Sequence, residues 1–336
     1  MKKAKAYQLE TESLSESISP ARIVEGDLQA AEVKLSRLLD SNESIIAEIC
    51  HYLIDAGGKR LRPTFILLVY RACGGDDAHV EDAIDAAIAL ELIHSATLLH
   101  DDIIDAGMLR RGKPSAFARY GAGGTLIAGD YLFCRAFELC GRFEEHLVRT
   151  AAQACIQLTE GEVMEGRFRH SAAANFNDYL TVITRKTASL FSAGGRVASD
   201  LAGAPKKTIE SMWNLGTAVG RAFQMVDDIL DIVGPEEKIG KPVGSDLRAG
   251  IPSLPVVLGM TRDPELRQLF QHDGKMDGAK FERALEMLRA PDLIAEARAM
   301  AADQVKIARG LLAELPKSDY RDSLTVLIED QIDREV

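Results

Sequence analysis

No two cysteines in this chain stand at C-x-x-C spacing. The five present, Cys50, Cys73, Cys134, Cys140 and Cys155, are scattered and odd in number. That argues against a structural zinc site and a secreted disulfide framework, and fits reduced thiols in a cytoplasmic protein. Positive charge is also scarce: 40 Lys and Arg face 51 Asp and Glu, a formal net charge of −11. Such a chain repels nucleic acid and anionic membrane unless it carries a local basic patch. No stretch approaches 18 uninterrupted apolar residues, so no membrane span is expected. Lys2, Lys3 and Lys5 are followed by a mostly polar stretch, 6–22, which is neither a signal peptide nor an anchor. Alternating strands joined by Asn-Gly or Asp-Gly turns are missing. So are a serine elbow, an H-E-x-x-H motif and any convincing nucleophile triad. Gly121-x-Gly123-Gly124 has no strand before it and reads as a flexible turn rather than a dinucleotide fingerprint.

What is present is helical periodicity. The 336 residues, 46% of them hydrophobic, suffice for one large domain with a sizeable core. Residues 1–21 read as a flexible N-terminal arm, and 22–336 as a single helical domain. Apolar residues recur three and four apart through 23–39, 45–56 and 62–73, and the pattern continues through 126–142, 145–166, 176–203, 208–232 and a series of shorter helices to 335. The stretch 82–105 is apolar nearly all round, as a helix buried inside a bundle must be. The fold class is all-α, a helical bundle around a deep central cavity.

One pattern occurs twice. Asp101-Asp102-Ile103-Ile104-Asp105 and Asp227-Asp228-Ile229-Leu230-Asp231 are both D-D-x-x-D, and each closes a long apolar helix. Positions four apart share a helix face, so Asp101 stands with Asp105 and Asp227 with Asp231; Asp102 and Asp228 lie about 100° round the axis. Stacked carboxylates repel, and a helix C-terminus adds to the repulsion. Mg²⁺ held between carboxylates and substrate phosphates would offset it. Two solvated acidic helix ends are the plain alternative, but the runs before them, 90–99 and 222–226, look fully buried.

Cations answer the acids. Arg110-Arg111-Gly112-Lys113-Pro114 follows the first cluster, and arginines there can chelate phosphate oxygens. Gly57-Gly58-Lys59-Arg60-Leu61-Arg62-Pro63 sets three cations in a turn that opens a helix, with Pro63 suited to its first turn. His94, seven residues before Asp101, shares the acidic face; it is either a structural core histidine or a hydrogen-bond donor to a diphosphate. Lys186, Thr187 and Gln224 are unremarkable singly, and Gly240-Lys241 with Asp246 looks like a phosphate-facing loop. Two acidic clusters across an apolar helical cavity suit ionisation of a diphosphate ester with water kept out.

These residues carry a resemblance. The run Leu99-His100-Asp101-Asp102-Ile103-Ile104-Asp105 with Arg110-Arg111, the run Gln224 to Asp231 and the 57–63 turn together resemble the trans-polyprenyl diphosphate synthases, over about residues 25–335. The resemblance implies an isoprenoid synthase-type fold and a transferase joining an allylic prenyl diphosphate to isopentenyl diphosphate. It implies Mg²⁺, about two or three ions with substrate bound, held by Asp101, Asp105, Asp227 and Asp231 with help from Asp102 and Asp228. Lys59, Arg62, His94 and Arg111 then correspond to isopentenyl diphosphate ligands. Arg110, Lys186, Thr187, Gln224 and Lys241 correspond to contacts with the allylic substrate. The family also implies a dimer, homomeric or of two unlike subunits. Two departures stand out: the loop after the second motif reads Gly244-Ser245-Asp246 and Gly250-Ile251, where the family often has Gly-Asp-Asp and Gly-Lys.

Product length is read from Ala96 and Thr97, five and four residues before Asp101. Neither is large, whereas short-chain members of the family commonly place bulky side chains here. An open passage favours a long product, about six to ten isoprene units, for a quinone side chain by resemblance. A short-chain synthase of about three to four units or a terpene cyclase-like enzyme is the alternative. Tyr131, Phe133 and Phe137 are candidates for a wall farther down.

Overall fold

In a computed structural model, residues 20–234, 242–271 and 276–330 are described here. The arm read at 1–21 lies outside them except for its last two residues. Fifteen α-helices account for most of these residues: α1 Glu25–Leu38, α2 Ser44–Ile54, α3 Leu61–Ala72, α4 Val80–Ile104, α5 Ala116–Cys140, α6 Glu145–Phe168, α7 Phe176–Ile183, α8 Ser189–Leu201, α9 Lys206–Val233, α10 Ser245–Ala249, α11 Leu254–Arg262, α12 Pro264–Phe270, α13 Gly278–Leu288, α14 Pro291–Leu312 and α15 Asp319–Glu329. A two-stranded antiparallel ladder, β1 Leu109–Arg110 with β2 Lys113–Pro114, follows the first acidic motif. Nothing in residues 109–114 signals a strand; the ladder is only a clip around the turn at Arg111 and Gly112, both at positive φ.

The central helix is α4. Alanine, leucine and isoleucine give it high helix propensity, and Glu81 and Asp82 in the first turn suit its N-terminus. By length and composition it could cross a membrane, yet 83% of its apolar window is buried among other helices. It packs against α5, α3 and α8, while α9 lies on α8 and α14. The main core joins α1–α6, α8 and α9 with α14 and α15. A second apolar cluster gathers the end of α9 with α7 and α11–α14. The acidic motifs therefore sit at the ends of two buried helices, where little else can turn.

Two sequence expectations need correction. The stretch at 121–124 is not a flexible turn: Ser115 caps a helix that starts at Ala116, accepting from the Ala118 N–H at 3.0 Å. Only Gly121 leaves helical geometry, at φ 75°, ψ 170°, and kinks α5. The segment expected as one helix over 176–203 is interrupted by a π-helical turn, Thr184–Ala188.

Candidate active site

The end of α4 and the last turns of α9 face one cavity of about 200 Å³. Asp101, Thr97 and His94 line it from α4, Asp227, Gln224 and Phe223 from α9, and Arg62 from α3. A second cavity, of about 190 Å³, is lined by Asp105, Glu165, Tyr179, Asp228, Asp246 and Ile251 among others. Lys186, Thr187 and Gln224 border both. The first aspartates of the two motifs, 126 residues apart in sequence, thus share one chamber.

The other aspartates are engaged by the protein. Asp102 is buried and bound by Arg110, whose Nε and Nη2 lie 3.0 and 2.8 Å from Oδ1. Asp228 is its counterpart. It accepts from Tyr179 Oη at 2.7 Å, Gln224 Nε2 at 2.8 Å and the Leu254 N–H at 3.0 Å. Burial still pushes its pKa up, with Asp246 adding to the effect and those hydrogen bonds opposing it. Asp105 pairs with Arg169. Asp231, expected to share the metal-facing side with Asp227, lines neither cavity. It is fully buried, accepting from Ser245 Oγ at 2.5 Å and the Asp246 N–H at 3.1 Å. Its face is covered by the loop that starts α10, something helix periodicity alone cannot foresee. Ser245, one of the two departures from the family pattern, thus has a definite partner.

Asp101 keeps a different environment. Burial pushes its carboxyl up to about 7; Glu162 and Asp105 add to this, while Lys186 and Arg110 oppose it. Lys186 sits on the π turn and reaches back to α6, with Nζ 2.5 Å from Glu162 and 2.7 Å from Glu165. Burial works against its charge, but Glu165, Glu162 and Asp101 outweigh that and hold the ammonium above its ordinary pKa. Gly161 permits the approach, since a Cβ there would lie 2.7 Å from the Lys186 backbone nitrogen. The wide π turn also points Thr187 inward, and its hydroxyl donates to Gln224 Oε1 at 2.7 Å. Glu162, Glu165, Tyr179 and Arg169 escaped sequence reasoning. A glycine inside α6 followed by Glu-x-x-Glu was the available signal.

On the opposite wall, Arg62 is seated over the Phe191 ring at 4.9 Å, and its Nε has no protein hydrogen-bond partner. His94 is held neutral: burial, then Arg62, Arg110, Arg111 and Arg60, drive its pKa well below the usual value. Arg111 stands at φ 53° beside Gly58, and Lys59 is exposed on the turn before α3. Lys241 lies outside the described residues. Of the two chain-length positions, Thr97 lines the cavity and Ala96 does not; Ala96 is packed into the main core, and Leu98 takes the next lining place.

Farther along the same face of α4, Ala86, Ala89 and Leu90 meet Leu147, Val148 and Ala151 of α6, Phe143 and Val197 around a small apolar cavity. Lining residues on α4 (Thr97, His94, Leu90, Ala86) and on α6 (Leu158, Ala151, Leu147) follow helical spacing on both sides. The two cavities are separate, but their lining residues lie on one face of each helix.

A helical bundle with two aspartate-rich helix ends facing one chamber and cations around it defines a transferase of the isoprenoid synthase type. The comparisons agree: the polyprenyl synthetase family matches residues 43–288. The chain belongs to this family and is a prenyltransferase. It is 33% identical over 303 residues to a short-chain isoprenyl diphosphate synthase of Methanothermobacter thermautotrophicus, covering 88% of this chain and 92% of that one. Against a nonaprenyl diphosphate synthase of Mycobacterium tuberculosis the identity is 34% over 316 residues, covering 91% and 93%. The crystal structure of a polyprenyl synthase from Caulobacter crescentus, complexed with calcium and isoprenyl diphosphate, matches with TM-score 0.88 at 33% identity, covering 95% and 98%.

Proposed function

We propose that the chain extends an allylic prenyl diphosphate by successive trans additions of isopentenyl diphosphate, and that it does so at the chamber between Asp101 and Asp227. The observation that carries this is the meeting of those two carboxylates with Arg62, His94, Lys186, Thr187 and Gln224 around one cavity. The donor set fits Mg²⁺, a hard cation that takes oxygen ligands and keeps positions for phosphate. Substrate diphosphate oxygens would complete the shell. Asp101, Asp105 and Asp227 would hold the ions; Asp102, Asp228 and Asp231, fixed by Arg110, Tyr179 and Ser245, would keep the two helix ends rigid. Bound there, the metal would neutralise charge growing on the leaving pyrophosphate.

The chain's own groups do the rest. Lys186 binds the allylic diphosphate as the C1–O bond breaks and pyrophosphate departs with the electron pair. Thr187 and the Gln224 carbonyl turn oxygen lone pairs towards the allylic cation left behind. Lys59, Arg62, Arg111 and neutral His94 hold the second diphosphate, and place the isopentenyl double bond so that its π electrons form the new bond to C1. A proton then leaves C2 of that unit for the departed pyrophosphate, giving the new trans double bond. Apolar walls keep water from the cation.

We infer a long product, about six to ten units. The support is the small Thr97 and the apolar cavity deeper on the same helix face, which reaches Ala86, 15 residues before Asp101, or about 22 Å of helix. Exposed Leu126, Ile127 and Phe137 on α5 and Ile156 and Val163 on α6 support a dimer through these helices. Five free thiols support a reducing compartment such as the cytoplasm, and the chain from residue 22 onwards is read as one working unit. The experiment is steady-state kinetics on Lys59→Ala and Arg62→Ala. Each should raise KM for isopentenyl diphosphate about tenfold more than KM for the allylic partner. The opposite preference would overturn the assignment of the two pockets.

A further inference from the structure

One carboxylate is buried among the cations of the basic turn. Glu91 lies one turn before His94 on α4 and is 7% exposed. Its Oε1 is 3.5 Å from Arg60 Nη1. Arg60 is the one cation of the 57–63 turn given no substrate role above, and the structure shows why. It sits at φ 45° as the residue before α3. Its guanidinium does not line the chamber and is clamped between Glu91 and Glu32, with a further bond from Nη2 to the Ile54 carbonyl at 3.4 Å. The Arg60 carbonyl in turn accepts from Thr64 Oγ1 at 2.8 Å and from the Thr64 N–H at 3.0 Å, fixing the first turn of α3.

The surroundings need such an anchor. The guanidinium groups of Arg60 and Arg111 both come within 3.4 Å of where a Gly58 Cβ would stand, so they crowd each other across that glycine. Burial first, and then like charge from Arg110 and Arg60, lower the Arg111 pKa, and Glu91 opposes this. Arg62 is half-buried; burial lowers its pKa, and the charges of Glu91 and Asp227 oppose this. Arg62 and Arg111 form no ion pair of their own among the described residues. Glu91 is the anion that Arg60, Arg62 and Arg111 share; without it the guanidinium groups of Arg60 and Arg111 would repel across Gly58.

We propose that Glu91 is a positioning residue of the isopentenyl diphosphate pocket: with Glu32 it pins Arg60 away from the chamber, and its charge keeps Arg62 and Arg111 gathered while the pocket is empty. This rests on the pocket assignment above. A simple anionic neighbour would only repel the incoming diphosphate, so the two possibilities predict opposite signs.

The test is kinetics and thermal unfolding of Glu91→Gln, Glu32→Gln and Arg62→Ala. Glu91→Gln should raise KM for isopentenyl diphosphate about tenfold, with allylic KM and kcat within about twofold. Glu32→Gln cuts the exposed end of the clamp and should raise the same KM about threefold without touching the core. Combining the two should cost less than the sum of the single effects, since they share Arg60. A lowered or unchanged isopentenyl KM in Glu91→Gln overturns the proposal, as does an equal rise in both KM values with a lower unfolding temperature. Should Glu91→Gln not fold, an unchanged isopentenyl KM in Glu32→Gln overturns it instead. Arg62→Ala separates the two claims: if it leaves isopentenyl KM unchanged, the pocket assignment fails; if it raises that KM and Glu91→Gln does not, only the role of Glu91 fails.

Discussion

At the scale of single residues, the aspartates divide by what they touch. Asp101 and Asp227 face the chamber; Asp102, Asp228 and Asp231 face protein donors. Asp101→Ala or Asp227→Ala should therefore lower kcat at saturating Mg²⁺ by at least about a hundredfold, while circular dichroism and the unfolding temperature stay near wild type. Near-normal turnover in either variant would remove the metal assignment. His94 allows a pH test. Its pKa is depressed in the folded chain, so the unfolded chain binds more protons below its usual value of 6.5. Its contribution to stability is present above about 6.5 and is lost as pH falls below that. Ring NMR should show one neutral tautomer from about pH 6 to 8, and His94→Gln should flatten the stability loss between about pH 6.5 and 5; a titration near 6.5 would contradict the burial. Spacing put Asp101 with Asp105 and Asp227 with Asp231, yet Asp101 and Asp227 line one cavity, Asp105 another, and Asp231 neither. Which of them meet Arg110, Tyr179 or Ser245 could not be read from spacing, because those partners come from other elements.

At the scale of elements, buried helices end where the chemistry is needed, and one departs from α geometry to serve it. The π turn at Thr184–Ala188 places Lys186 and Thr187, and Gly161 on α6 lets it approach. Nothing in 184–188 announces that turn; an α-helical period runs through it unbroken, and only packing against α6 and α9 reveals it. Gly161→Ala should push the turn away, costing about 1–3 kcal/mol of stability and raising KM for the allylic substrate more than that for isopentenyl diphosphate. Unchanged allylic kinetics would show that the close approach is not what sets Lys186. The passage along α4 gives a graded test by product chromatography. Thr97→Phe, and Ala96→Phe through the repacking it forces, should shorten the product sharply. Ala89→Phe, two turns deeper, should allow more additions before growth stops. Equal lengths from all three would rule out the passage along α4 and α6.

At the scale of the whole molecule, an acidic chain of net charge −11 concentrates cations where a diphosphate would dock. The long helices and the paired motifs were legible because each rests on local periodicity and on residues that appear together in sequence. The joining of α5 across Gly121 and the covering of Asp231 by the start of α10 were not, since each depends on contacts between distant segments. The central claim is that this one chain elongates a prenyl diphosphate with isopentenyl units at the Asp101–Asp227 chamber. The most direct measurement incubates the purified chain with Mg²⁺ and an allylic diphosphate, with and without isopentenyl diphosphate, and sizes the products by chromatography. The allylic substrate should be consumed only when both are present, with products of about six to ten units. Turnover of the allylic diphosphate alone into hydrocarbon, or no product without a second protein, would contradict it.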